Sequence, residues 1–506
     1  MQICVHLDAA RLYRWHLALL AALSENGHEA AVSFGDTPEP LPISFTVLID
    51  YDHARARAGT DRFSTLLRPE AFAAWPQYAG GGYDIMIDLS SASAIKTHPG
   101  RVVRPLYDGS FKDYALFHAI LEQRLPFLSV SDSVTRDHVW ALGRPAIETP
   151  WRPAYAMDNI TSRVVEGLVR VTNRIALGEA PQDELPQERN PAGRSSILPA
   201  ASVFARSCVA RKAARIGELF TGNEAKWHVA WRRITPAAPT RPESRELDLT
   251  AYRTLEDGGR RYFADPFVFA HEGITHVFVE ELPKATGKGI ISHFTLSEDG
   301  TPSSVAPVLE RDVHLSYPFV FAHEGGIYML PESSAAGGLD LYRAKRFPDE
   351  WEKITRLIEG RIHDATLFAH DERWWIAAGS ENFQSSSWDG LSLFFADTLT
   401  GPWHPHPLNP VLIDAAAARP AGALWRDDAG RLIRPAQDCT GGYGSRLTLR
   451  TITRLSPETF AEETVGTVSF STRSGILGPH TLSRGGGFEV IDLFARPSAL
   501  RAGYRA

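Results

Sequence analysis

The stretch Ala264-Asp265-Pro266-Phe267-Val268-Phe269-Ala270-His271-Glu272-Gly273 decides the fold, because the chain writes it again. The next copy is Ser316-Tyr317-Pro318-Phe319-Val320-Phe321-Ala322-His323-Glu324-Gly325, and a third is His363-Asp364-Ala365-Thr366-Leu367-Phe368-Ala369-His370-Asp371-Glu372. A weaker fourth begins Arg419-Pro420-Ala421-Gly422, and a fifth begins Pro479-His480-Thr481-Leu482. Each opens on a polar residue, runs on as an apolar strand and ends in a turn. Positions 265, 317, 364, 419 and 480 are 47–61 residues apart. A period of that size, with about four short strands per unit, is that of a β-propeller. Five copies predict five blades.

The segments between copies also recur. The second copy continues into residues 339–345 and 351–359, two further strands; a similar pair, 228–234 and 246–256, stands before the first copy. That pair has the character of outer strands whose inner partners are 478–482 and 488–494. A last blade shared by residues 228–256 and 478–494 would close the ring and remove exposed sheet edges. Residues near 230 are predicted to pair with residues near 490.

With 506 residues the chain exceeds one ordinary domain. Hydrophobic residues at 43% and charged residues at 22% describe a globular protein. A net charge of −7 gives no reason to expect nucleic acid as a partner. Cys4, Cys208 and Cys439 form neither a disulfide framework nor a metal-ligand cluster, which points to a cytoplasmic setting. Residues 1–8 lack the basic leader of a secretion signal, and no apolar run reaches the roughly 18 residues of a membrane span.

The expected order is multidomain. An N-terminal α/β domain over 1–158 opens as strand 2–7, helix 12–23 and strand 28–34, with further strands at 44–49 and 84–89 in a parallel sheet. Asp8 and Asp88 fall at carboxyl ends of its strands, where such sheets bind ligands or where carboxylates cap loops. A Gly-x-Gly-x-x-Gly does not follow the first strand, so no dinucleotide cofactor is indicated. A helical linker over 159–224, broken by the proline-bearing stretch 181–193, leads to an all-β propeller over 225–498.

Propeller chemistry gathers where the inner strands begin. The rim residues would be Asp265, Tyr317, Asp364, Arg419 and His480, with Glu281, Glu332 and Asp438 closing the second strands. Crowded carboxylates push one another's pKa apart, and that division serves glycosidic bond cleavage. Trp374, Trp375, Trp388 and Trp403 could stack on sugar faces, although large rings mostly pack blades. Tyr317 replaces the acid in the second copy, so the repeat folds without Asp there. The Ala-His-Glu/Asp turns are hairpin tips, and no spacing demands a metal ion.

The propeller resembles the five-bladed furanosidase-type glycoside hydrolases, the arabinanase, xylosidase and invertase clan. Asp265, in Ala264-Asp265-Pro266-Phe267, matches their first-blade base or nucleophile, and Asp364 matches the Asp that tunes the acid. Their acid is a Glu in the fourth blade, where this sequence has Arg419, Gln437 and Asp438. Glu332 is the substitute, with Asp438 and Glu281 behind it. Trp403-His404-Pro405-His406-Pro407-Leu408-Asn409-Pro410-Val411 resembles a loop of the same enzymes. The order of domains resembles the N-terminal region of the glucosamine inositolphosphorylceramide transferase family and its bacterial relatives. The first domain is similar to the formyltransferase fold through Thr97-His98-Pro99-Gly100 and Asp108, with Lys96-Thr97 where that family has Asn.

These resemblances imply a carbohydrate or glycoconjugate substrate. Asp265 would be the base, Asp364 the tuner and Glu332 the acid, while Tyr317, Arg419, His480, Glu281 and Asp438 would bind substrate. Arg419 would suit an acidic or phosphorylated sugar. Two other readings stay open: a non-catalytic sugar-binding or scaffold propeller, and formyl or acyl transfer to an amino sugar by the first domain.

Overall fold

The computed structural model describes residues 1–35, 43–55, 61–78, 82–91, 100–184, 197–221, 224–234 and 242–503. Two compact units emerge: Met1–Arg215 with Asn382–Ser386, and Ile216–Glu381 with Ser387–Ala506.

The first unit is an α/β sheet. Strands Glu29–Gly35, Gln2–Asp8, Ile85–Asp88 and Arg101–Tyr107 lie parallel in that order, with Val5 opposite both Val32 and Ile87. Beyond Arg101–Tyr107 the sheet turns antiparallel through Leu128–Asp132 and Thr135–Arg144, which corrects the wholly parallel expectation. A two-residue turn at 133–134 joins that last pair, and so short a link can only reverse the chain. Helix Arg14–Glu25 buries Trp15, Leu19, Leu20 and Leu23, and Gly27 at φ +79° follows its end. The strand expected at 44–49 is instead helix Ile43–Arg55. Its buried positions Phe45, Ile49 and Asp52 recur at helical spacing, while Ile43, Val47 and Tyr51 face out.

Helix Pro153–Ala176 crosses the boundary expected at 158 and belongs to this core rather than to a linker. It starts on Pro153, where a missing N–H is harmless, and buries Ile160, Val164 and Leu168. Its buried charges are all paired. Asp158 accepts from Arg62 at 2.5 Å and from the Ser64 N–H at 2.7 Å, and Arg163 donates to Glu166 and to the Ser386 carbonyl.

Asp8 and Asp88 are tied into the turn after Ile85–Asp88. Ser91 donates to Asp8, and Ser90 donates to Asp88, which also pairs with Arg104. His98 lies outside the described residues. Asp108 accepts from the Phe127 N–H at 2.9 Å and pairs with Arg124, so it braces a turn.

The second unit is propeller-like. Strands Arg261–His271, Ile274–Pro283, Ile290–Leu296 and Ala306–Leu309 make one four-stranded blade, and Ser316–His323, Gly326–Glu332, Gly338–Arg346 and Glu350–Glu359 make the next. A third sheet runs Trp425–Arg426, Leu432–Asp438, Arg446–Leu455 and Phe460–Phe470, with Arg245–Leu247 added at its outer edge. A fourth is built from both ends of the unit. Lys226–Arg233 pairs antiparallel with Phe488–Ala495, with Ala230 opposite Ile491. Ile362–His370, Arg373–Ser380 and Gly390–Ala396 also pair in antiparallel order, with Leu412–Asp414 at their outer side. Among the described residues four separate sheets stand as blades, in place of the five expected.

Candidate functional site

Three of the repeated positions share one backbone device. The inner strands of the first two blades, and strand Ile362–His370, slip register between Ala264 and Phe267, Ser316 and Phe319, and His363 and Thr366. Inside these bulges Asp265, Tyr317 and Asp364 adopt φ of 48°, 45° and 50°. A side chain in that region costs about 1–3 kcal/mol and persists only where its surroundings insist on it. Here the insistence comes from carboxylates that grip each bulged N–H. The Asp265 N–H donates to Asp492 at 3.0 Å, the Tyr317 N–H to Asp265 at 3.2 Å, and the Asp364 N–H to Glu332 at 3.0 Å. Tyr317 carries no carboxylate to pass on, so Glu332, opposite Ser316, serves Asp364 in its place. Tyr317 instead bonds Thr366 through its hydroxyl and accepts the Gly422 N–H at 2.6 Å.

Two ion clusters surround this relay. His480 reaches Asp265 through Nε2 at 3.1 Å and Asp492 through Nδ1 at 2.7 Å, while Thr481 donates to Asp265 at 2.9 Å. Burial opposes a charge on His480, but Asp492 and Asp265 outweigh it and push its pKa up to about 10. Burial likewise lifts Asp265, and the His480 charge overcomes it, holding the carboxyl below its ordinary value. In the second cluster Arg419 donates to Asp364 through Nε at 2.6 Å and Nη2 at 3.2 Å, and Gln437 adds a bond at 2.8 Å. Burial raises Asp364 well above its usual range against the pull of Arg419. Glu332 bonds His363 at 3.1 Å. Burial pushes Glu332 up, but His363 and Arg419 bring it well below the usual range, so the acid role expected of Glu332 does not fit its charge. His363, disfavoured by burial but drawn by Glu332, rises to about 9. Arg419 is occupied by Asp364 and Ser387, which makes it a positioning group rather than an open anion contact.

Glu281 and Asp438 are elsewhere. Glu281 pairs with Arg261 and accepts from Ser292, and Asp438 pairs with Arg446 and accepts from Thr440. The neighbour Glu280 takes the place expected of Glu281. Successive strand residues face opposite sides, so a slip of one residue exchanges them. Burial first, then the Asp265 charge, raises the Glu280 carboxyl, and His314 sits 3.0 Å from it. Two half-buried rings flank His480, and a third packs on one of them. Trp227 lies 3.9 Å from the imidazole between centroids and Tyr443 5.4 Å, with Trp388 5.5 Å from Tyr443. Trp375 is core, and Trp403 bonds the Leu399 carbonyl, so both pack blades. Sequence reasoning overlooked Asp492, whose signal is an acid inside the apolar run Val490-Ile491-Asp492-Leu493.

Asp265, His480 and Asp492 are the one group of three potential metal ligands among the described residues with donor atoms within 4.8 Å of one another. Both His480 nitrogens lie within 3.1 Å of a carboxylate oxygen, which favours the charged imidazole.

Residues 250–476 match the family model described as glucosamine inositolphosphorylceramide transferase 1, N-terminal. The transferase of that name from Oryza sativa subsp. japonica is 32% identical over 247 residues, which is 48% of this chain and 31% of the rice protein. Its Arabidopsis thaliana counterpart is 31% identical over 218 residues, 42% of this chain and 28% of its own length. The chain thus spans about a third of these curated relatives. Among solved structures, the catalytic domain of a Coprinopsis cinerea GH62 alpha-L-arabinofuranosidase aligns with 54% of this chain and 98% of its own at 12% identity and a TM-score of 0.36. A family 117 glycoside hydrolase from Zobellia galactanivorans aligns with 54% of this chain and 91% of its own at 14% identity and a TM-score of 0.33.

Proposed function

We propose, from the match of residues 250–476 to that transferase family, that the propeller unit is carbohydrate-active and binds the glycosyl part of a glycoconjugate. The observation that carries this reading is the row of rings beside His480, with Trp227 and Tyr443 against the imidazole and Trp388 against Tyr443. Aromatic faces stack on the C–H side of a pyranose, and adjacent charged donors engage its hydroxyls. The carboxylates Asp265, Glu332 and Asp492 serve in this reading to fix the bulged strand starts beneath those rings. Titration calorimetry with a panel of mono- and disaccharides tests it. Trp227→Ala and Trp388→Ala are each expected to weaken the best sugar about 5–10-fold, the value of one ring contact. Unchanged affinity in both variants would remove the rings from the site.

A second reading, glycosidic bond cleavage, draws support from the opposite displacements of Asp265 and Glu280. The Asp265 carboxyl is held below its ordinary value and the Glu280 carboxyl is raised above its own, the direction of division that hydrolysis needs. Glu280 would protonate the leaving oxygen and Asp265 would act as base or nucleophile. With aryl glycosides as substrates, Asp265→Asn and Glu280→Gln are expected to lower turnover at least about a hundredfold. Glu281→Gln, on the other face, should leave it unchanged. Equal loss from Glu280→Gln and Glu281→Gln would defeat this assignment.

A further inference from the structure

In the first unit, one face of the parallel sheet turns polar at its carboxyl edge. His6 lies opposite Ser33 on one neighbouring strand and Asp88 on the other, and Asp88 pairs with Arg104 on the next. Residues level with one another in a sheet share a face, so these four make a row across four strands. The row before it on that face, Ala31, Cys4 and Met86, is buried and apolar, as a covered parallel sheet requires. Ser33, His6 and Arg104 are instead partly exposed. Asp8 follows His6 by two residues and stands on the same face, opposite Gly35.

Strand Gln2–Asp8 has Glu29–Gly35 on one side and Ile85–Asp88 on the other, so strand order reverses between Gln2–Asp8 and Ile85–Asp88. Open α/β sheets take ligands beyond the carboxyl ends of their strands at such a reversal. Asp8 has one oxygen unused there. Its Oδ2 accepts the N–H and the hydroxyl of Ser91, while Oδ1 has no hydrogen-bond partner among the described residues, although Asp8 is only 3% exposed. A buried carboxylate oxygen without a donor is costly, and a ligand that brings one removes the cost. His6 offers a second contact. Its Nδ1 is 2.8 Å from Ser33 Oγ, and its Nε2 lies beside Gly35, where a Cβ would come within 2.8 Å of it. Burial holds this imidazole below its usual pKa against the pull of Asp88 and Asp8, so the ring is neutral.

We propose that this sheet edge binds a vicinal diol, one hydroxyl donating to Asp8 Oδ1 and its neighbour bonding His6 Nε2. The nearby cations Arg104 and Arg11 are paired with Asp88 and Asp113, and the turn after Asp8 lacks the glycines that cradle a phosphate. The ligand group is therefore a neutral one, carried by a ribosyl moiety or by a free sugar.

Calorimetric titration of the full chain with adenosine, with its dideoxy counterpart lacking both ribose hydroxyls, and with mannose tests this and separates the two sources. Adenosine binding at least about tenfold tighter than dideoxyadenosine identifies a ribosyl ligand, and binding of mannose alone identifies a free sugar. Asp8→Asn keeps an acceptor for Ser91 but turns the unused oxygen into a donor. It should retain the wild-type thermal midpoint and weaken the bound compound at least about tenfold. Gly35→Ala should push His6 aside and weaken it several-fold. Binding of neither compound, equal affinity for adenosine and dideoxyadenosine, or wild-type affinity in Asp8→Asn and Gly35→Ala would overturn the proposal. Loss confined to Trp227→Ala would do so too, by assigning the sugar to the propeller unit.

Discussion

Asp492→Ala is expected to destabilise the propeller unit by about 3–5 kcal/mol, read as a fall in the urea midpoint with an unchanged slope. Asp492 is fully buried, receives three donors, the N–H groups of Asp265, His480 and Thr481, and lies 2.7 Å from the His480 imidazole as its ion-pair partner. Removing it strands those donors and leaves His480 charged in a dry site, and each unsatisfied group costs about 1–3 kcal/mol. The same cluster sets a pH dependence. His480 moves from 6.5 when unfolded to about 10 when folded, so its contribution is complete below pH 6.5 and is lost as the pH rises through 10. Asp265 lies below its ordinary value, so its contribution is lost only in acid. The wild-type chain should therefore lose stability between pH 7 and 10 more steeply than His480→Ala. Parallel profiles would show that the imidazole is neutral.

Gly422→Ala should be comparably severe. Gly422 has φ 128°, and a Cβ there would meet the Leu482 carbonyl oxygen at 2.1 Å. The obstacle is backbone in a sheet, so no side-chain rotation relieves it. The same residue donates to the Tyr317 hydroxyl and lies beside the Leu482 N–H that bonds Ala421, so displacing it loosens two neighbouring strands at once. A loss of about 3 kcal/mol or more is expected from strain and broken bonds together. A change below about 0.5 kcal/mol would mean that the Leu482 strand moves freely.

The repeat was legible because the bulge at 265, 317 and 364 demands the same local phrase each time, Tyr317 included. What each bulge leans on was not. Asp492 and Glu332 come from other strands, and only register brings them to the N–H groups they hold. The choice between Glu280 and Glu281 was beyond pattern reading for a related reason. The bulge between Ala264 and Phe267 adds a residue to its own strand against the unbroken partner, so position in the motif no longer gives the facing residue. Helix Ile43–Arg55 was misread as a strand because its apolar residues sit on both faces, Ile43, Val47 and Tyr51 being exposed.

The pairing of Ala230 with Ile491 has a consequence for how the chain is made. These residues are 261 positions apart (491 less 230), so at about 5–20 residues per second a ribosome needs roughly 13–50 s to deliver the second after the first. Throughout that interval Lys226–Arg233 waits as a bare strand edge, open to any other nascent chain. Its sequence, Lys226-Trp227-His228-Val229-Ala230-Trp231-Arg232-Arg233, brackets the apolar centre with cations at both ends. Such flanking charges are what keep a waiting strand from premature partners.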